Sequence, residues 1–357
     1  MAQPVRRNDS DDTREPRLES SSRSPFSWLA FPAVFAIVIG GATALVVQPF
    51  VAPVRSTPPQ VDASRLQAHV KKLSVELYPR SFEQFDNLDA AANYIAAEFK
   101  ASGAAVSMQD VPVQEVSYKN VVARFGPPHG PVMVIGAHYD SHGNPANWGS
   151  AQGFSPASHT PGADDNASGV AGLLELARLL GQKAPSRAVE LVAYTLEEPP
   201  YFRSKNMGSV RHAGSLKAAG REVSLMLSLE TIGYFSDAPA SQSYPIPGMR
   251  HLYSDRGNFI ALVGKFGGFQ ASRRVKSLMA GATDLPVLSI NAPRIVQGVD
   301  YSDHQSYWVE GYPALMVTDT AFMRNRQYHR AGDTWDRLDY QRMAKVVQSV
   351  YAVTKQY

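Results

Sequence analysis

Five short segments of this chain carry histidine or acidic residues that could bind a metal ion, and most of these segments follow a short apolar run. Imidazole and carboxylate groups are the donors that proteins offer to zinc, cobalt or manganese when thiolates are absent, and the chain contains no cysteine. Two histidines and at least three carboxylates exceed what one four-coordinate ion takes, so the count predicts a pair of divalent ions bridged by a carboxylate. The five segments are His138-Tyr139-Asp140-Ser141, Asp164-Asp165, Glu197-Glu198, Glu230 and Tyr328-His329.

Each of these motifs alone has an ordinary explanation. A His-x-Asp pair is most often a solvated loop pair, and Asp164 and Asp165 stand where acidic residues cap the first turn of a helix. Asp333, four residues after His329, either orients that imidazole or caps a helix. The metal prediction therefore depends on whether the fold brings the five segments together.

Seven short apolar runs bounded by Gly, Pro or Asn predict buried strands, and helical spacing between several of them predicts an α/β fold. Strands in which apolar and polar residues do not alternate indicate a sheet covered by helices on both faces. Ligand sites of such sheets form outside the carboxyl ends of strands. The predicted strands are 121–125, 132–137, 189–195, 223–229, 260–263, 287–290 and 314–317, and the clearest helices are 64–77, 87–100, 166–180 and 340–351.

Composition excludes several classes of protein. With 35 Lys and Arg against 32 Asp and Glu, the net charge of +3 is too small for a nucleic-acid binder that neutralises phosphates. The absence of cysteine excludes disulfides, thiolate metal sites and cysteine nucleophiles. No Gly-x-Ser-x-Gly motif occurs, so a serine hydrolase of that type has no support. The His-Glu-x-x-His motif of another class of zinc peptidases does not occur either.

The N-terminal region differs from the rest of the chain. Residues 1–25 are polar and predict a disordered tail, whereas residues 26–47 are almost unbroken apolar sequence, long enough for a transmembrane helix over 26–48. A cleaved signal peptide is the alternative. Five arginines precede the span, which predicts a cytoplasmic tail and an extracytoplasmic body. A Pro-rich tether over 49–62 would then lead to one large domain over 63–357.

Taken together, the five motifs resemble the signature segments of the M28 zinc aminopeptidases, and the similarity extends over the whole body of the chain. The match includes the segment Gly162-Ala163-Asp164-Asp165-Asn166-Ala167-Ser168-Gly169. The resemblance implies a phosphorylase/hydrolase-like fold, in which a mixed central sheet is sandwiched by helices. It also implies a metallopeptidase domain over residues 63–357.

The resemblance further implies a role for each site residue. Asp164 would bridge two ions, with His138 and Glu230 completing one site and Glu198 and His329 the other. Glu197 would be the general base. Four residues, Asp140, Asp165, Asp303 and His304, would support the ligands from outside, and the Asp164–Asp165 peptide bond would be cis. Tyr301, although not at the spacing expected for the family, is a candidate oxyanion donor.

The implied cofactor is a pair of Zn²⁺ ions, with Co²⁺ or Mn²⁺ as possible substitutes, and the implied substrate is a peptide with a free N-terminus. Two alternatives remain: a single-zinc glutaminyl cyclase-like acyltransferase, and a non-catalytic membrane-anchored binding domain. The other histidines lack partners at ligand spacing and are expected on the surface; they are His69, His129, His142, His159, His212 and His251.

Overall fold

A computed structural model describes residues 1, 34–35, 40–143 and 159–357. The chain divides into two units, residues 1–42 and residues 43–357, and the second contains the whole α/β body. Most of the predicted tail and transmembrane segment lies outside the described residues. Among the helices that are described, none combines the length and apolar character needed to cross a membrane.

Eight strands form one mixed sheet in the order β1-β2-β4-β3-β5-β8-β6-β7. Strands β3, β4, β5 and β8 run parallel to one another, and β6 and β7 run the opposite way because β6 pairs with β8 antiparallel. The carboxyl ends of the four central strands therefore meet at one edge. The strands are β1 Ala105–Val113, β2 Val116–Phe125, β3 Val132–His138, β4 Ala188–Tyr194, β5 Val223–Glu230, β6 Ile260–Lys265, β7 Val287–Ala292 and β8 Ala314–Thr318.

Helices cover both faces of the sheet, and each face has its own apolar core. Five helices, α1, α2, α3, α5 and α7, pack on one face, and α4 and α6 pack on the other. Every residue of β3 and β4 is buried, as expected for central strands between two helical layers. The helices are α1 Ala63–Lys71, α2 Phe85–Ala101, α3 Gly169–Gln182, α4 Gly208–Ala218, α5 Phe269–Ala282, α6 His304–Val309 and α7 Tyr340–Gln356.

The seven predicted strands and four predicted helices are all present, with shifts of a few residues at their ends. Strand β1 was missed because it is the edge strand and most of its residues are at least partly exposed, so it carries no apolar run. The short helices α4 and α6 and the longer α5 were also not among the clearest patterns.

The segment predicted to be a tether lies against the body instead. At the end of the predicted span, directly before the tether, buried Lys276 of α5 donates to the carbonyls of Val47 and Gln48 at 3.3 and 2.8 Å. The Val54 amide donates to Ser277 O at 2.9 Å, and a Cβ at Gly281 would stand 1.8 Å from Val54 O. Residues 47–56 are thus held by hydrogen bonds that composition cannot reveal, since a Pro-rich segment with docked carbonyls looks the same in sequence as a free one.

Candidate metal centre

The five sequence motifs converge at the shared carboxyl edge of the central strands. His138 ends β3 and Glu230 ends β5, while Glu197 and Glu198 follow β4 in the next turn. Asp165 precedes α3 in an irregular turn, and His329 lies in the loop after β8. All but His329 are buried, and 11% of its side chain is exposed.

The imidazole of His138 is oriented by the chain that follows it. Its Nδ1 lies 3.1 Å from Asp140 O and 3.4 Å from Asp140 Oδ1. Because a carbonyl only accepts, Nδ1 carries a proton, and Nε2 is the ring nitrogen left to bind a metal ion. That Nε2 lies 3.2 Å from Asp165 Oδ1 and 3.4 Å from Glu230 Oε2, and it forms no hydrogen bond of good geometry with any residue that the structure describes.

Asp165 stands between the two imidazoles. Its Oδ1 is 3.2 Å from His138 Nε2, and its Oδ2 is 2.9 Å from His329 Nε2. The sequence-based prediction placed Asp164 here. Asp164 instead points to the other side, where its carboxylate accepts from Gly233 N at 3.0 Å and from the Asn325 amide at 3.2 Å.

The two aspartates diverge because the turn that carries them is not helical throughout. Asp165 has φ −109° and ψ 89°, and Asn166 has φ −135° and ψ 41°. The cis peptide bond joins Asp165 to Asn166, so the expectation of a cis Asp164–Asp165 bond was wrong by one residue. Adjacent side chains of an extended segment point in opposite directions, and the sequence does not say which one faces the site.

The remaining expected donors flank Asp165. Glu198 Oε2 lies 3.3 Å from His329 Nε2, and Glu230 Oε2 accepts a hydrogen bond of 2.7 Å from Ser302 while facing His138. Each imidazole therefore has Asp165 on one side and a second carboxylate on the other.

Two further aspartates hold the donor loops in place. Asp140 accepts from the backbone amides of Glu197 at 3.2 Å and Glu198 at 3.0 Å, so it orients both glutamates as well as His138. Asp333 accepts from the amides of Asp164 and Asp165 at 3.1 Å each. Asp333 thus positions the Asp164–Asp165 turn, and neither of the two roles expected for it, orienting His329 or capping a helix, matches its contacts.

Glu197 is close to the imidazoles but less tightly engaged than the other carboxylates. Its Oε2 is 3.9 Å from His138 Nε2, compared with 3.2 and 3.4 Å for Asp165 and Glu230. Burial raises the pKa of Glu197 well above its usual range, and the nearby carboxylates of Glu230 and Glu198 add to the effect. A raised pKa makes a carboxylate a stronger proton acceptor, as a general base requires.

The donor set fits divalent metal ions. Four carboxylates in one buried cluster repel one another, and burial raises the pKa of Glu198 to about 7. Burial alone would lower the pKa of His329, but Glu198 and Asp165 outweigh it and raise that pKa to about 10. Donors bound tetrahedrally at zinc distances of about 2.0–2.2 Å stand roughly 3.4 Å apart. The four imidazole–carboxylate separations described above, 3.2, 3.4, 2.9 and 3.3 Å, are close to this distance between two zinc ligands.

Arg80 joins the two loops that carry His138 and Asp165, and nothing in the sequence pattern marked it. Its guanidinium is fully buried and donates to four carbonyls rather than to a carboxylate. Burial lowers the pKa of Arg80 to about 10, so the side chain remains cationic at neutral pH behind an acidic cluster. Its acceptors are Leu73 O at 2.5 Å, Tyr139 O at 2.9 Å, Gly162 O at 2.9 Å and Pro161 O at 3.0 Å.

Replacing Arg80 with methionine is expected to lower the free energy of unfolding by at least about 3 kcal/mol. The change leaves several buried carbonyls without donors, at roughly 1–3 kcal/mol each. Urea unfolding of the metal-free protein measures the effect, and Arg273→Met on the exposed face of α5 is the matched control. Equal midpoints for the two variants would contradict the role assigned to Arg80.

An apolar cavity of about 90 Å³ opens beside the donor cluster, and Glu230 and Tyr328 form part of its wall. Tyr301, the expected oxyanion donor, also lines it, with its ring 6.1 Å from those of both Phe202 and Phe322. Tyr328 is closer to the donors, because its ring stacks on His329 at 3.8 Å. The only sequence signal for Tyr328 is its position directly before His329. Other lining residues are Met249, Tyr253, Phe259, Val263, Ile290 and Met316.

Several expected surface or supporting residues have other environments. His304 contacts a backbone carbonyl: its Nε2 donates to Val299 O at 2.9 Å, and its ring packs edge-on against Trp308. Asp303 is fully buried at the start of α6, and burial raises its pKa to about 7. The expectation of a surface position was wrong for three histidines, which are buried: His69, His142 and His212.

Comparisons with known proteins agree with this geometry. An uncharacterized protein of Escherichia coli K12, YfbL, is 52% identical over 303 residues, covering 85% of this chain and 91% of the relative. A probable leucine aminopeptidase of Trichophyton verrucosum is 26% identical over 267 residues, covering 71% of this chain and 62% of the relative. A probable leucine aminopeptidase of Arthroderma otae is 29% identical over 215 residues, covering 59% of this chain and 49% of the relative.

Two solved structures from Bacteroides thetaiotaomicron share the fold at low identity. A leucine aminopeptidase precursor has a TM-score of 0.62 at 19% identity, covering 85% of this chain and all of that one. A glutaminyl cyclase bound to N-acetylhistamine has a TM-score of 0.63 at 18% identity, covering 84% and 100%. The fold alone therefore does not distinguish the two activities.

The family model of peptidase family M28 matches residues 120–354, a span that begins in β2 and includes every donor described above. The match covers well over half of the chain. With the relatives above and the converging imidazole and carboxylate groups, it identifies the protein as a metallopeptidase that belongs to peptidase family M28.

Proposed function

We propose that this protein is an aminopeptidase that uses two zinc ions and Glu197 as general base. The observation that supports it most is the position of Asp165, whose two oxygens face two different imidazoles at 3.2 and 2.9 Å. Each imidazole has a carboxylate of its own on the other side, so the donors form two sets that share one residue. The first set is His138, Asp165 and Glu230, and the second is Asp165, Glu198 and His329.

When bound, the ions would lower the pKa of a water molecule and polarise the scissile carbonyl. Glu197 would accept a proton from the attacking water and return it to the leaving amine, because its carboxylate is buried at the site and lies farther from the His138 imidazole than those of Asp165 and Glu230. Asp140 keeps Glu197 and Glu198 in position through their backbone amides. Tyr328 and Tyr301 border the cavity where the substrate carbonyl would lie, and Tyr328 is the better placed of the two.

The apolar cavity supports a substrate with an apolar N-terminal side chain. It is lined mainly by aromatic and aliphatic groups and touches the donor cluster through Glu230 and Tyr328. A pocket beside the reacting atoms selects the residue whose carbonyl is attacked. We therefore expect leucine, methionine or phenylalanine at the substrate N-terminus to be preferred over glycine or a charged residue, with differences of about 10- to 200-fold in kcat/KM.

Metal content and substrate choice together test the proposal. The purified protein is assayed for zinc per chain and for release of nitroaniline from leucyl-, glycyl- and glutamyl-p-nitroanilide. Cyclisation of an N-terminal glutaminyl peptide is measured in parallel. Two zinc ions with leucyl hydrolysis that chelation abolishes would support the proposal, and zinc or cobalt should restore activity. One zinc with cyclisation of the glutaminyl peptide would overturn it in favour of a cyclase.

We also propose that residues 26–45 of the predicted span anchor the chain in a membrane, with residues 1–25 cytoplasmic and the body outside. Residues 46–48, the end of that span, bind the body instead. The support for the anchor is the apolar sequence and the arginine distribution. Sedimentation with membranes after a salt wash, and digestion of the body by protease added to spheroplasts, test the anchor and its direction.

A further inference from the structure

We propose that His142 is a fourth protein donor to the ion of the second set, so that the two metal positions are unequal. This inference rests on the two-ion site proposed above. The motif comparison gave His142 no role, and its expected place was the surface. It is buried, and one of its ring nitrogens, a Glu198 carboxylate oxygen and a His329 ring nitrogen all lie within 4.8 Å of one another.

The ring of His142 has the orientation of a metal-binding imidazole. Its Nδ1 lies 3.0 Å from Gly143 O, and a carbonyl only accepts, so Nδ1 carries the proton. Nε2 is then the nitrogen that can bind a metal. Ligating histidines usually donate their other N–H to a backbone carbonyl or a carboxylate, which fixes the tautomer. His138 has the same arrangement, with its Nδ1 against Asp140 O.

The backbone around His142 is held, so the ring position follows from the fold. Thr160 donates to His142 O through its amide at 3.2 Å and through its hydroxyl at 3.3 Å. Ser141, directly before His142, donates its amide to Arg80 O at 3.1 Å. The ring centroid lies 4.0 Å from that of His329, which places His142 beside the second set and not the first.

Four protein donors at one ion and three at the other have different consequences. A four-coordinate ion with four protein ligands has no position left, whereas three ligands leave one open for water or substrate. The ion held by His142, Asp165, Glu198 and His329 would therefore bind more tightly and fill first. The ion held by His138, Asp165 and Glu230 would have the open position, on the side where Glu197 lies 3.9 Å from His138.

Zinc titration of the metal-free full-length protein, against a competing chromophoric chelator, tests the inference without relying on activity. The wild type should bind two ions with different affinities. His142→Ala should weaken the tighter ion at least tenfold, since losing even an outer-shell partner of a metal ligand costs about 10- to 100-fold. Glu230→Gln should weaken the other ion instead. With Co²⁺, loss of a nitrogen donor should also change the visible absorption of the first equivalent bound.

His159→Ala is the matched control, because it removes an imidazole that belongs to neither donor set and whose Nδ1 lies 3.1 Å from Ser81 Oγ. It should titrate like the wild type. If His142→Ala does not fold, His142→Gln, which keeps most of the side-chain volume, replaces it. Unchanged binding of both ions in the His142 variant would overturn this inference and leave the two-ion site intact. A wild type that binds one ion or none would overturn the proposed function itself.

Discussion

Replacing Glu197 with glutamine is expected to lower kcat by about 10²- to 10⁴-fold while zinc content stays at the wild-type level. Proton transfer by a positioned side chain accounts for a factor of this size, and glutamine has no carboxylate to accept the proton. Zinc content should not change, because Glu197 is farther from His138 Nε2 than Asp165 and Glu230 are, at 3.9 Å. Steady-state kinetics on leucyl-p-nitroanilide and metal analysis of the same sample measure both quantities.

Glu115→Gln, an exposed change in the turn between β1 and β2, is the control for the loss of one carboxylate. It should leave kcat and KM unchanged. Nearly normal turnover in Glu197→Gln would remove Glu197 as the base. A loss of zinc together with turnover would instead make Glu197 a ligand.

Exchanging Asp165 for asparagine should remove metal and activity together, whereas the same change at Asp164 should spare both. Asp165 is the residue with one oxygen toward each imidazole, so its loss affects both donor sets. Activity should fall at least about 100-fold, because metal coordination supplies several kcal/mol to the transition state. Zinc per chain, measured after gel filtration, should drop below two.

Asp164 is expected to tolerate asparagine because its surroundings favour the uncharged form of its carboxyl group. Burial, reinforced by the neighbouring Asp319, raises the pKa of Asp164 well above its usual range. The neutral amide of asparagine has nearly the same shape and still accepts from Gly233 N at one oxygen. We expect a loss of at most about 1–2 kcal/mol in urea unfolding and full zinc content. Zinc loss in Asp164→Asn with retention in Asp165→Asn would restore the roles that the sequence predicted.

The chemistry of the site could be predicted from the sequence because it depends on residue types and on their place after apolar strands. His138 and Glu230 end β3 and β5, and Glu197 and Glu198 follow β4, as the strand pattern indicated. Parallel strands in one sheet bring their carboxyl ends to one edge whatever the details of packing. The identity of the donors and their convergence therefore follow from local patterns and a general rule of topology.

Only the tertiary structure determined which side chains face the donor cluster. Asp164 and Asp165 are neighbours of the same type, and only the backbone angles of their turn, held by Asp333 169 and 168 residues away, determine which one faces the imidazoles. Contacts between segments far apart in the chain likewise place Arg80 behind the donor loops and His142 beside His329. Such contacts produce no periodic or compositional pattern, because the residue type of an arginine or a histidine is the same whether its side chain is buried or exposed.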